Sequence, residues 1–222
     1  MGKEVIFHNP EFENAVRETL NKQEGFITEA DLLRIEELYC DEFSFSPEDY
    51  PTLYLCKNVK DLCIEQHGGV FDFSVLTPLK ALRYLTVRER IFNWELKFTN
   101  LSALSQLPCL EEVFIIDFDS IDLTDIKDVT QLTVLEVGWC RSVTGLESVT
   151  LLPNLNSFCL ADTSVPSLEF LNQLSPDVAL DLLAVETAAP FDVENLKRFS
   201  RLEAENLRIA GEWYFCPLAN KN

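Results

Sequence analysis

Histidine is scarce in this chain: among 222 residues only His8 and His67 carry an imidazole, which leaves little for general acid–base chemistry or a nitrogen-rich metal site. Long apolar runs are missing too. Nowhere do about 18 uncharged apolar residues follow one another, so a membrane-spanning helix is excluded. The opening Met1 to His8 lacks the apolar stretch that a signal peptide needs, and Ile6 stands where a myristoylation site beginning Met1-Gly2 requires Ser or Thr. The cysteines (40, 56, 63, 109, 140, 159 and 216) are odd in number and contain no C-x-x-C pair, which argues against a disulfide framework and for a reducing, cytoplasmic setting. Positive charge is the last shortage. With 18 basic residues against 37 acidic ones the formal charge is −19, a field that repels nucleic acid and anionic membranes and favours cationic partners. No P-loop, dinucleotide fingerprint, nucleophile elbow or zinc-protease motif is present, so the chain is read as non-enzymatic, with no catalytic residue, metal or cofactor.

What the chain does have is a rhythm. A strand-like motif, apolar-x-x-apolar-x-apolar, recurs with its central residue at Leu38, Leu62, Leu85, Val113, Leu135, Phe158, Leu180 and Leu207, at intervals of 24, 23, 28, 22, 23, 22 and 27 residues. Between these motifs the apolar period becomes three, as in Leu101, Leu104, Leu107 and Leu110 or Leu146, Val149, Leu152 and Leu155, a spacing that suits 3₁₀-like turns. One strand plus one such turn is one coil of a solenoid, which must stack on its neighbours to bury its apolar edge. Eight strands about 4.8 Å apart make a parallel sheet roughly 35 Å across. Ahead of the array, Phe12, Val16 and Leu20 share one helix face, Gly25 permits a turn, and Thr28-x-x-Asp31 is a variant capping box opening a second short helix. Behind it, the aromatic segment from Trp213 to Pro217 is expected to close the last coil.

Taken together, the coil Leu101-x-x-Leu104-x-x-Leu107-x-x-Leu110-x-x-Val113-x-Ile115 and the helical segments Pro10 to Leu20 and Gly25 to Leu32 resemble the short leucine-rich repeats of bacterial internalins and of phosphatase-regulatory leucine-rich proteins. The resemblance covers almost the whole chain. It implies an α/β fold: a horseshoe solenoid with a parallel β-sheet on its concave face, short 3₁₀ and α segments on its convex face, and a helical N-terminal cap. The expected organisation is one domain, with a cap over about 1–33, some eight degenerate repeats over 34–210 and a C-terminal flap over 211–222. For function the resemblance implies protein–protein recognition alone. The chain departs from the family at the position three residues past each strand motif, where Asn is usual. Here stand Phe43, His67, Arg90, Phe118, Cys140, Thr163, Val185 and Glu212, so no asparagine ladder exists. Two coils read as expanded, one around residues 88–98 and one around Thr187 to Phe191.

Alternation places the residues flanking each central apolar one on the concave face. Counting these and the two positions that follow each motif, 11 acidic residues face two basic ones, Arg88 and Arg208, with large rings interleaved. The candidate partner-binding residues are Glu37, Tyr39, Asp41, Asp61, Glu65, Tyr84, Glu112, Phe114, Glu136, Trp139, Asp162 and Asp181. Carboxylates attract and orient while rings anchor, which suits a basic protein partner. Cys63-x-x-x-His67 reads as a strand residue and a turn residue rather than a catalytic pair. Asp117 to Asp122 reads as a coil corner, because the glycine and the closing Glu of a calcium loop are missing. The expected function is a cytoplasmic binding protein, monomeric when free, that neutralises a basic partner in the manner of immunity proteins acting on toxins. A regulatory or assembly scaffold docking on an enzyme is the alternative, through the 88–98 segment or the C-terminal aromatics, and a host-directed internalin-like effector is a third.

Overall fold

The computed structural model describes residues 3–41, 43–89 and 95–214, together with the backbone of 218–219. Arg90 to Trp94, Glu42 and Phe215 to Pro217, all of which figure in the sequence reading, lie outside the described residues.

The cap forms where local chemistry starts and stops it. The Asn9 side chain accepts from Glu11 N at 3.0 Å and Phe12 N at 3.4 Å, Pro10 supplies a first helical residue with no N–H to satisfy, and the helix Pro10–Leu20 ends at Asn21 in the left-handed region with φ 50°. Phe12 and Val16 are buried and Leu20 partly so, as their spacing predicts. Phe12 packs at 5.8 Å and 5.0 Å, centroid to centroid, on Phe43 and Phe45, which fastens the helix over the first coil. The second helix, Glu29–Leu32, opens with the expected capping box. Asp31 N donates to Thr28 Oγ1 at 3.3 Å and Thr28 N donates to Asp31 Oδ2 at 2.9 Å. The ammonium of Lys22, bonded to Asp31 Oδ2 at 2.8 Å, and the Thr28 hydrogen bonds hold the Asp31 carboxyl down at about 2 against an ordinary 3.8. A depressed carboxyl stabilises the fold above its unfolded value and loses that contribution as pH falls toward the folded one. Asp31→Ala is therefore expected to lower stability at pH 7 by about 1–2 kcal/mol. Thermal melts should show the gap between the two proteins narrowing below pH 4 and vanishing near pH 2.

Among the described residues, eight strands lie side by side and parallel in chain order: Glu37–Cys40, Asp61–Gln66, Tyr84–Glu89, Glu112–Ile116, Val134–Cys140, Ser157–Val165, Ala179–Thr187 and Leu202–Glu205. Their centres align one to one: Leu38 with Leu62, Leu85, Val113, Leu135, Phe158, Leu180 and finally Leu202. The eighth coil is thus centred on Leu202, not Leu207, and the seventh interval is 22 residues rather than 27. The supposed expansion at Thr187 to Phe191 does not exist: Thr187 ends the seventh strand and Phe191 is buried in the core. The 28-residue third coil is real, since Leu85 pairs with Val113. Its added segment returns through Lys97–Thr99, which pairs with Val70–Asp72, and the Glu89 carboxylate accepts from Glu95 N and Leu96 N at 3.1 to 3.2 Å. Period-three runs form 3₁₀ turns, among them Leu101–Gln106, Thr124–Asp128, Leu146–Leu151 and Val193–Arg198, which bury Leu104, Ile126, Val149 and Leu196 in the core.

In place of an asparagine ladder the coils stack through packing. Phe43, Phe118, Cys140, Thr163, Val185 and Leu207 are all buried at that position, and Leu207 replaces the expected Glu212 once the last coil is re-registered. Phe118 ends a chain of edge-to-face rings running Phe71, Phe73, Phe98, Phe118 with centroids 5.2, 5.4 and 5.5 Å apart. Cys140 Sγ meets Thr163 Oγ1 at 3.2 Å. At the C-terminal end, Glu212–Tyr214 pairs antiparallel with Leu207–Ile209, and Leu218–Ala219 pairs antiparallel with the eighth strand.

Candidate functional site

The register sorts the concave side chains into rows. In the first row Glu37, Asp61, Tyr84 and Glu112 stand on adjacent strands, followed by Val134, Ser157 and Ala179. In the second row Tyr39, Cys63, Thr86, Phe114, Glu136, Cys159, Asp181 and Glu203 follow one another. The third row holds Glu65, Arg88, Ile116, Gly138, Ala161, Leu183 and Glu205. The structure therefore brings together most of the candidate residues. Trp139 and Asp162 stand at the rim of the face rather than in the rows, and Asp41 is apart from both. It lies past the first strand and, with Tyr39, Glu11 and Glu18, lines a separate cleft of about 300 Å³ against the cap helix. Glu65 is neutralised by an ion pair with Arg88. Re-registering the last coil removes Arg208 from the face and adds Glu203 and Glu205, which the sequence reading missed. Cys63 is buried on the second strand while His67 is exposed beyond its end, and the Asp117 to Asp122 carboxylates turn apart: Asp119 pairs with Arg141 at 3.8 Å and Asp122 accepts from Thr124 N at 3.0 Å.

Electrostatics single out the middle of the second row. Glu136 is pushed up by burial and by Asp181, and Asp181 by burial and by Glu203. Between them the Cys159 thiol is raised to about 12, chiefly by burial and then by these two carboxylates. Among the described residues Glu37, Glu112, Glu136, Asp162 and Asp181 enter no ion pair. Tyr39 donates its hydroxyl to Asp61 Oδ2 at 3.2 Å.

At the rim where the strands leave the face, one residue per coil takes the left-handed conformation: Asp117 (φ 66°), Trp139 (50°), Asp162 (44°), Ala184 (53°) and Asn206 (54°). Asp and Asn tolerate this region, whereas Trp and Ala do so only under strain. Here a cleft of about 370 Å³ opens, lined by Asp117, Trp139, Asp162, Thr163, Ala184 and Glu186 among others. It sits where the bend changes. The fifth coil has two residues, Arg141 and Ser142, between inward-facing Cys140 and Val143, while the sixth has only Ser164 between Thr163 and Val165. Trp139 keeps 41% of its surface exposed. The 22- to 23-residue recurrence of Asp117, Trp139, Asp162, Ala184 and Asn206 was the available sequence signal for this column.

No helix among the described residues is long and apolar enough to cross a membrane. No protein-family model matches the chain, and no curated protein does. Solved structures do match. Internalin C2 of Listeria monocytogenes is similar over 92% of this chain and 94% of its own, at 18% identity with a TM-score of 0.57. Listeria monocytogenes InlP is similar over 91% of this chain and 58% of its own, at 18% identity with a TM-score of 0.54. The leucine-rich repeat domain of APL1B is similar over 81% of this chain and 67% of its own, at 13% identity with a TM-score of 0.50. At such identities the likeness speaks for fold, and it agrees with the parallel sheet, the 3₁₀ turns and the helix over the first coil. In fold, the chain is a leucine-rich repeat solenoid with a helical N-terminal cap, similar to those solved structures.

Proposed function

We propose that the protein is a non-enzymatic binding module whose concave face captures a basic protein, in the manner of an immunity protein or inhibitor that neutralises a toxin. The observation that carries this reading is the set of concave carboxylates that have no cationic partner among the described residues, Glu112, Glu136 and Asp181 foremost, the last two raised by burial and then by a neighbouring acid. Such a face holds repulsion that a cationic partner would relieve, and it would steer that partner at long range. Phe114 and Trp139 would supply the rings. The whole chain acts as one unit in this reading, monomeric when free. A cytoplasmic setting is supported by the six cysteines that stand as free thiols among the described residues.

The test is capture with the full-length protein from source cells, followed by charge reversal. Glu112→Lys, Glu136→Lys and Asp181→Lys together are expected to weaken binding of the captured basic protein at least about a hundredfold near 0.15 M salt, with a smaller effect at 1 M. Equal binding by parent and triple variant would remove the reading. Protection of cells against a toxin encoded beside the gene tests the immunity role itself. A second reading, a scaffold docking through the long third coil, is favoured by the way buried Glu89 anchors the base of that segment. It requires that the triple variant bind normally.

A further inference from the structure

The rim cleft carries more than the face around it. Asp117 is only 4% exposed, lines the cleft and leaves its Oδ1 buried without a hydrogen-bond partner. A buried acceptor with no donor is destabilising, and in native structures it calls for an explanation such as a missing ligand. Trp139, beside it, holds a bulky side chain at φ 50° with its ring partly open, and backbone strain of this kind gathers at ligand sites. Asp162 across the cleft is exposed and enters no ion pair among the described residues, while Glu186 is already shared with Arg208 at 2.9 Å and Arg141, the cation in the lining, pairs with Asp119 at 3.8 Å. Ala184 contributes only a methyl group on the next coil, leaving space beside the indole. An unsatisfied carboxylate, a second free carboxylate and an open aromatic ring recognise the same thing, a cation on an aliphatic stem.

We propose that this cleft receives a single lysine or arginine side chain of the protein partner, its cationic head between Asp117 and Asp162 and its stem against Trp139. This rests on the reading of the concave sheet as a face for a basic protein, and places that partner's anchoring residue at the rim of the fourth to seventh coils. The role is binding alone, with no bond made or broken.

The test needs no partner. ¹⁵N-labelled full-length protein is titrated with N-acetyl-lysine amide and N-acetyl-arginine amide, with N-acetyl-norleucine amide as the uncharged comparison. The Trp139 indole N–H and the Thr163 and Ser164 amides are followed. Saturable shifts with a cationic amide in the millimolar range are expected, weakened at least about fivefold in Asp117→Asn. In Trp139→Asn, which suits the left-handed backbone and removes the ring, the Thr163 and Ser164 shifts should disappear. Norleucine amide saturating equally well, or cationic amides producing no saturable shift, would overturn the proposal. The comparison among the three amides on the parent protein decides even if a variant fails to fold. The Glu112, Glu136, Asp181 triple reversal leaves the cleft intact and should still take the cationic amides. Loss of the basic partner as an idea, and loss of the cleft as a site, therefore show as separate results.

Discussion

Gly145→Ala should lower stability by about 3 kcal/mol, the sum of a left-handed alanine and an overpacked contact, each about 1–2 kcal/mol. Gly145 has φ 71° and precedes the turn Leu146–Leu151. A Cβ there would stand 2.4 Å from Thr124 N and 2.6 Å from Asp122 Oδ1 on the preceding coil. Those atoms cannot step aside cheaply, because Asp122 Oδ1 already accepts from Thr124 N at 3.0 Å and from its hydroxyl at 2.6 Å. Opening that contact would spread the fourth and fifth coils in the middle of the array. For a chain of this length the melting temperature should fall by about 6–12 °C. Gly211 is the control: its φ is 87° but nothing lies within 4 Å of an added Cβ, so alanine there carries only the backbone term of about 1 kcal/mol. Melts of the two variants that coincide would show that the close approach at Gly145 does not constrain the fold.

Asp117→Asn should act in the opposite direction and stabilise the protein at pH 7 by about 1–3 kcal/mol. Burial raises Asp117 from an ordinary 3.8 to about 6, with Arg88 opposing the rise and Glu89 and Glu65 adding to it. Between pH 4 and 6 the folded state retains a proton that the unfolded chain has released. Stability from this group therefore falls as pH rises through that window. The raised Glu136 and Asp181 contribute with the same sign. The parent should melt at a higher temperature near pH 5 than at pH 7, by a few degrees, and the Asn variant should show a much flatter profile. Asparagine accepts φ 66° without strain, and Arg88 keeps its pairing with Glu65. A profile for Asp117→Asn identical to that of the parent would mean the carboxyl titrates normally and the rim holds no stored penalty.

Much of the fold was legible because burial and backbone period agree along most of the chain. The coil from Leu101 to Ile115 states both periods in succession, and each residue lands where its spacing puts it. The cap was readable for the same reason, in Phe12, Val16 and Leu20 and in the pair Thr28 and Asp31, while the Asn9 cap of the first helix was not read. The last coil was not, because two overlapping patterns compete. Leu207 and Ile209 look like a strand core, while Leu202 and Ala204 look weaker because alanine is small. What decides is the preceding period of three, Leu196, Phe199, Leu202, which only the eighth strand centred on Leu202 continues. The face was legible as a set of carboxylates and rings, but not as rows, since a row depends on how neighbouring coils align. The rim cleft was hidden for a different reason. It arises from left-handed residues and a one-residue change in a bend, and neither alters hydrophobic patterning.

The one-to-one file of Val113, Leu135, Phe158, Leu180 and Leu202 makes the length of this molecule quantised. Deleting or duplicating a whole coil would shorten or lengthen every row by one place, about 4.8 Å of reach, with no side chain changing sides. Losing one residue inside a strand would instead turn its carboxylates inward and its leucines to water. Divergence among descendants of such a chain should therefore proceed by whole-coil steps, with single-residue drift confined to the bends, where the fifth and sixth coils already differ by one.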